Sequence, residues 1–260
     1  MKSDSNNTPT EGPSVDPWLA NATSPYFTSW NECIGMGAAF TWPGNTAPLP
    51  PPGNWSANEG PGSDTIVDFN ACQRIGWGPF ERPVKILLEL YTNSSFPEAC
   101  RHGSFGYARI VHAVYLDEPV MAAYLRRELG LPAYAATMNY SLEKGSAWTM
   151  RWTWTPDGGQ TSDVQVSHLA SQDSGSPETY RLVWFTHGHV TMMDLLTRYH
   201  NPGQTLGAAP GHMRPPMIDA KMGDPYLGTG EMWDATSYTG TVYRFNDEFC
   251  KEPIDPYPDH

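Results

Sequence analysis

The sequence predicts a mainly β fold: an antiparallel β-barrel, closed or cone-like, with a few flanking helices. Three observations lead there. Short stretches of period-two alternation recur along the chain, and that spacing puts alternate side chains on one face of a strand. The 25 prolines and 24 glycines in 260 residues call for many connections and few long helices. The 13 Tyr, 10 Trp and 9 Phe supply enough bulk for a sizeable core.

In order, residues 1–24 are rich in Ser, Asn, Thr and Pro and read as a flexible arm, and 25–260 as a single barrel domain. Residues 30–42 hold a first strand or a short helix, and 43–62 a long Pro-rich loop. A strand over 65–74 leads into the turn Gly76-Trp77-Gly78-Pro79. The strand Val84–Tyr91 carries Val84, Ile86, Leu88 and Leu90 on one face and Lys85, Leu87, Glu89 and Tyr91 on the other. The second face mixes charge with apolar bulk, which suits the wall of a pocket. From Tyr107 to Asp117 a second strand sets Ala108, Ile110, Val114 and Leu116 against Tyr107, Arg109, Val111, Ala113 and Tyr115.

A helix over 118–129 buries Val120, Tyr124 and Leu125, with Arg126 and Arg127 in its last turn. Gly130 ends it and Pro132 prevents its resumption. Residues 137–143 and 147–155 form a hairpin around Lys144-Gly145-Ser146. Trp148, Met150, Trp152 and Trp154 make a stripe on its second strand, of the kind that usually belongs to a core. Strands over 163–169 and 180–189, a short helix over 192–200 and a last strand over 238–245 complete the chain.

The net charge of −12 argues against nucleic acid and against an anionic membrane surface, because both demand clustered Lys and Arg. No apolar run approaches the length of a membrane span. With no apolar segment near Met1, a cytoplasmic protein is expected, or a secreted one if a signal peptide has been removed. Cys33, Cys72, Cys100 and Cys250 form no C-x-x-C pair. Buried reduced thiols are the preferred reading, and two disulfides in an oxidising compartment the alternative. Glycosylation sequons begin at Asn6, Asn21, Asn54, Asn93 and Asn139.

The stretch from Lys85 to Ala136 resembles the acetoacetate decarboxylase superfamily. That family has a strand with an active-site Glu, a second strand, a helix, and a Gly-aromatic-Pro-Lys-Lys turn. Glu89 in Ile86-Leu87-Leu88-Glu89-Leu90 matches the strand Glu, and Gly130-Leu131-Pro132 matches the turn. The resemblance implies a barrel enzyme acting on a small carbonyl compound. The two lysine positions hold Ala133 and Tyr134, so Schiff-base decarboxylation is not expected. Lys85 is the candidate substitute, but it stands four residues from Glu89, roughly 13 Å along an extended strand.

The expected site therefore uses Glu89, Arg109, Tyr115 and Tyr134 for acid–base or orienting work, with Leu87, Tyr91, Ala133 and Trp152 lining the substrate. No cofactor is expected. The partner is a small-molecule substrate, with dehydration, cyclisation or an aldol-type step on a carbonyl or polyketide-like compound, and self-association into a homo-oligomer is left open. A non-catalytic binder of apolar small molecules needs the same pocket without a tuned carboxyl. A third reading is a cupin-like metal site built on His187, His189 and His212 with Asp194 nearby. His112, in an apolar row, reads as a core histidine.

Overall fold

Seven strands close on themselves to form the barrel. In the computed structural model the described residues are 23–41, 56–57, 64–91, 94–95, 109–159, 161–169, 179–186, 189–198, 201–202 and 226–246. The strands are β1 (Thr23–Thr41), β2 (Ser56–Ala57), β3 (Asp64–Trp77), β4 (Phe80–Tyr91), β5 (Ser94–Ser95) and β6 (Arg109–Leu116). The helix α1 (Pro119–Leu129) follows. Then come β7 (Ala133–Lys144), β8 (Ala147–Pro156), β9 (Ser162–Leu169), β10 (Thr179–Thr186), β11 (His189–Arg198), β12 (Asn201–Pro202) and β13 (Tyr226–Asn246). The barrel runs β10-β11-β13-β1-β3-β4-β6 and returns to β10, while β7-β8-β9 continue from β6.

The pairing is mixed rather than antiparallel throughout. β6 runs parallel to both β10 and β7. The reason at β7 is the crossover: α1 carries the chain back past β6, and a strand that follows such a helix re-enters in the same direction. Where a short helix was expected over 192–200, the last two residues lie outside the described residues, and residues 192–198 are strand. Their Met and Leu favour a helix locally, but β11 is held along both edges by β10 and β13, and that pairing prevails. Thr23 and Ser24, the end of the expected arm, already belong to β1, and the rest of the arm lies outside the described residues.

One core cluster takes side chains from all seven barrel strands, among them Trp30, Ile75, Leu88, Val114, Trp184, Met193 and Tyr238, so it fills the barrel interior. Helix α1 contributes Met121, Ala122, Leu125 and Leu129 to the same cluster. It stoppers the barrel where β3 turns into β4. There Tyr124 packs on Phe80 with ring centroids 5.3 Å apart, and the Trp184 indole donates to the Leu129 carbonyl at 2.9 Å. The turn must be tight: Gly78 has φ +59°, and a Cβ on it would sit 2.7 Å from Tyr124. Val120, expected inside, faces solvent, and Tyr124 is half-buried. Gly130 caps the helix in the left-handed conformation, its N–H bonding the Leu125 carbonyl.

A second cluster lies on the outer side of β3, β4 and β6, under the β7–β9 layer. It joins Val67, Phe69, Leu87, Ala113 and Tyr115 to Met138, Met150, Trp152, Trp154 and Val164. The Trp stripe is thus core: Phe69 meets Trp152 and Trp154 at 4.9 and 5.4 Å.

Cys33 and Cys72, opposite each other on β1 and β3, form a disulfide. This overturns the reading of four reduced thiols, which had no spacing signal to correct it because the two residues meet only through strand register. Cys100 and Cys250 lie outside the described residues.

Candidate active site

Strand β4 divides its side chains between the two cores. Val84, Ile86, Leu88 and Leu90 enter the barrel, and Leu87 enters the outer layer. Glu89 shares Leu87's side. Its registered neighbours are Val67 on β3 and Ala113 on β6, both in the outer cluster. Glu89 is 1% exposed, and its Oε1 meets no hydrogen-bond partner among the described residues. Burial pushes its carboxyl pKa up to about 8, so the group is a neutral acid at pH 7. Such a group is a hydrogen-bond donor, not a counter-ion.

Tyr115 stands diagonally from Glu89, since Leu87 pairs with Tyr115 and Glu89 with Ala113. It is 2% exposed. Burial, then the charges of Glu89 and Tyr134, raise its pKa, so it too stays protonated. Tyr134 pairs with Tyr115 across the parallel β6–β7 ladder, with ring centroids 5.8 Å apart. It is 36% exposed, and the Arg126 guanidinium lies 5.3 Å above its ring. The three groups therefore step from the buried layer to the surface.

Arg109 and Ala133 are on the other side of the wall. β6 has a bulge: Ala113 pairs with Glu89 but Val111 pairs with Leu90, so His112 is an extra residue. The alternation changes phase there. Val111 joins the barrel interior while Ala113 and Tyr115 join the outer layer. Arg109, registered with interior Leu182, points with Val111 and approaches Asp68 at 3.8 Å. Asp68 in turn is registered with interior Leu88. Ala133 belongs to the interior cluster and Tyr134 to the opposite face, so the two lysine-equivalent positions are split between the barrel's two sides. His112 is largely buried, and burial lowers its pKa to about 4, so it is neutral at pH 7.

Lys85 is tied down at the far end of β4. Its Nζ meets Asp117 Oδ2 at 2.7 Å, its backbone N–H donates to Asp117 Oδ1, and the Asp117 N–H returns to its carbonyl. It does not approach Glu89. Trp152 lies fully buried in the outer layer, stacked on Tyr140 at 5.3 Å. Its Nε1 and that of Trp154 are buried with no acceptor among the described residues. Sequence reasoning took Trp154 for core and missed this pair of open donors. The side chain of Tyr91 lies outside the described residues.

Of the metal reading, His187 and His212 lie outside the described residues, and His189 opens β11 rather than closing β10. Asp194 is in β11. Among the described residues no three His, Cys, Asp or Glu side chains gather. No helix among the described residues is long and apolar enough to cross a membrane. An open groove of about 950 Å³ lies elsewhere, at the β3–β4 turn, lined by Phe27, Phe80, Glu81, Asp194 and Leu196 among others. It contains none of the residues expected to act on or line a carbonyl substrate, and only Asp194 from the metal reading.

No protein-family model and no curated protein matches the sequence. Solved structures do resemble the fold. Acetoacetate decarboxylase from Legionella pneumophila superposes with a TM-score of 0.51 at 13% identity, over 93% of this chain and 98% of that one. The enduracididine biosynthesis enzyme MppR, complexed with the condensation product of pyruvate and imidazole 4-carboxaldehyde, gives 0.49 at 13% identity, over 84% and 87%. An acetoacetate decarboxylase-like enzyme from Sphingomonas wittichii RW1 gives 0.42 at 10%, over 95% and 98%. The seven-stranded barrel, its stoppering helix and the β7–β9 layer have the fold of acetoacetate decarboxylase.

Proposed function

We propose that the chain is a small-molecule enzyme that uses Glu89 as a general acid on a carbonyl compound, without a Schiff base and without a cofactor. The observation that carries this is the buried, neutral Glu89 carboxyl with its open Oε1. A carboxylic acid held protonated near pH 7 can give its proton to a carbonyl oxygen while its other oxygen takes the proton leaving the α-carbon, so the enol forms and the acid is regenerated. Tyr115, also protonated, supplies a second donor from the same face. Tyr134 reaches toward solvent, where protons enter and leave. This pairing fits enolisation-driven steps: dehydration, cyclisation or aldol-type bond formation on a keto or polyketide-like substrate. Arg109 takes no part, because it faces Asp68 inside the barrel.

A panel of β-keto and β-hydroxy carbonyl compounds assayed with wild type and Glu89→Gln tests the reading. The variant keeps size and hydrogen bonding but loses the proton, so turnover should drop about 10²–10⁴-fold with the circular dichroism unchanged. Normal turnover by a folded Glu89→Gln would sink the proposal. Borohydride should trap no adduct, because Lys85 is engaged by Asp117.

A second reading, a non-catalytic binder, draws support from the Trp152 and Trp154 indoles, which offer two fixed donors in an apolar layer. It predicts tryptophan-fluorescence changes with the same compounds and no turnover by wild type.

A further inference from the structure

We propose that this chain matures in an oxidising secretory compartment, where Cys33 and Cys72 are joined and Asn139 is N-glycosylated. Two independent observations converge on this. The first is the disulfide. It joins registered residues of β1 and β3, with the cysteines 0% and 4% exposed. A cytosol held reducing by glutathione does not accumulate such bonds, whereas a secretory lumen does.

The second is the sequon pattern. Five of the chain's twelve asparagines begin an Asn-x-Ser/Thr sequon. Forty Ser and Thr in 260 residues would give about two by chance. Four of the five lie outside the described residues; Asn139-Tyr140-Ser141 lies on β7. Asn139 and Ser141 are both exposed, two residues apart, and so share the solvent face of the β7–β9 layer. Their cross-strand neighbours Thr153 and Arg151 are polar, and Arg151 pairs with Asp163 on the same outer surface. Met138, on the other face, packs into the outer core. A glycan on Asn139 would therefore project into water without touching the layer that holds Glu89.

The chemistry balances with donors the compartment supplies. The Asn139 amide nitrogen forms a bond to the anomeric carbon of a lipid-linked oligosaccharide diphosphate. The carbon–oxygen bond to the diphosphate breaks, and the amide proton leaves with the lipid diphosphate. For the disulfide, the two thiols give two protons and two electrons to a protein disulfide, which becomes a dithiol.

The test is peptide mapping of the protein isolated from its own source cells. Free thiols are alkylated without reduction, and the digest is analysed before and after enzymatic glycan release. The expected result is a cross-linked Cys33–Cys72 peptide pair and an Asn139 peptide converted to Asp by glycan release. Ser141→Ala, expressed in the same cells, destroys the sequon but keeps Asn139; it should lose that one glycan while the Cys33–Cys72 pair stays cross-linked. An Asn139 peptide recovered bare, or Cys33 and Cys72 recovered alkylated without prior reduction, overturns the proposal.

Discussion

The wall made by β3, β4 and β6 has two faces built from the same strands, and they have been put to different uses. The inner face closes the barrel with aliphatics, indoles and a disulfide. Its polar groups are mostly tied: Tyr238 donates to Asn70 at 3.2 Å, Trp30 to Thr28 and Trp184 to Leu129, with Trp77 and Thr191 as exceptions. The outer face, under β7–β9, is also dry, yet it keeps a carboxyl oxygen and two indole N–H groups without partners among the described residues. Unmet buried polar groups cost stability, so a protein retains them where a ligand can complete them. The inner face thus reads as scaffold and the outer one as the face that carries the proposed site.

The sharpest way to break this contrast is the pH dependence of stability. Below pH 4.5 Glu89 is protonated whether the chain is folded or not. Between 4.5 and about 8 the unfolded chain releases a proton that the folded chain keeps, so stability falls as pH rises. The slope is about 1.4 kcal/mol per unit, reaching about 5 kcal/mol by pH 8 and staying constant above it. Urea melts across this range should show that decline in wild type and a flatter profile in Glu89→Gln. Equal slopes would mean the carboxyl is hydrated and the outer layer is not a dry site.

On the inner face, replacing Cys33 and Cys72 by Ala opens a link spanning 39 positions. The chain-entropy estimate is a loss of about 4 kcal/mol, read as a lower urea midpoint that reducing agent no longer shifts. Leu125→Ala, in the stopper helix, should cost about 3 kcal/mol by leaving a cavity at the barrel mouth. It should leave the Glu89 pH profile untouched, since it acts on the other side of the wall. The smallest effect is expected from Lys85→Met. Its ion pair with Asp117 is about a third exposed, so its loss should move stability by less than about 1 kcal/mol and activity not at all.

The barrel was legible because alternation survives in β4 and β8, where Glu89 and the Trp stripe fell on their observed faces. The helix showed through its end signals, Gly130 above all. Its role did not: nothing in an 11-residue stretch says whether its apolar stripe lies against a barrel from outside or fills the mouth. β11 was misread because Met and Leu carry helix propensity, and only its two flanking strands override that. The arrangement of the expected site residues was half legible. Glu89, Tyr115 and Tyr134 do lie on one face. Arg109 was assigned to that face by counting straight through β6, and a bulge leaves no mark in a count.

That bulge changes how this strand should be compared with any other. His112 is a supernumerary residue: remove it, and 109–116 alternate without interruption while every side chain keeps its present address. A related chain one residue shorter here would thus be the true structural equivalent, and a gapless alignment would shift every residue on one side of the gap by one place. Smoothing the strand while keeping His112 would do the opposite. It would swing Arg109 across the wall to a carboxyl that pairs with no cation among the described residues, turning a neutral acid into half of an ion pair.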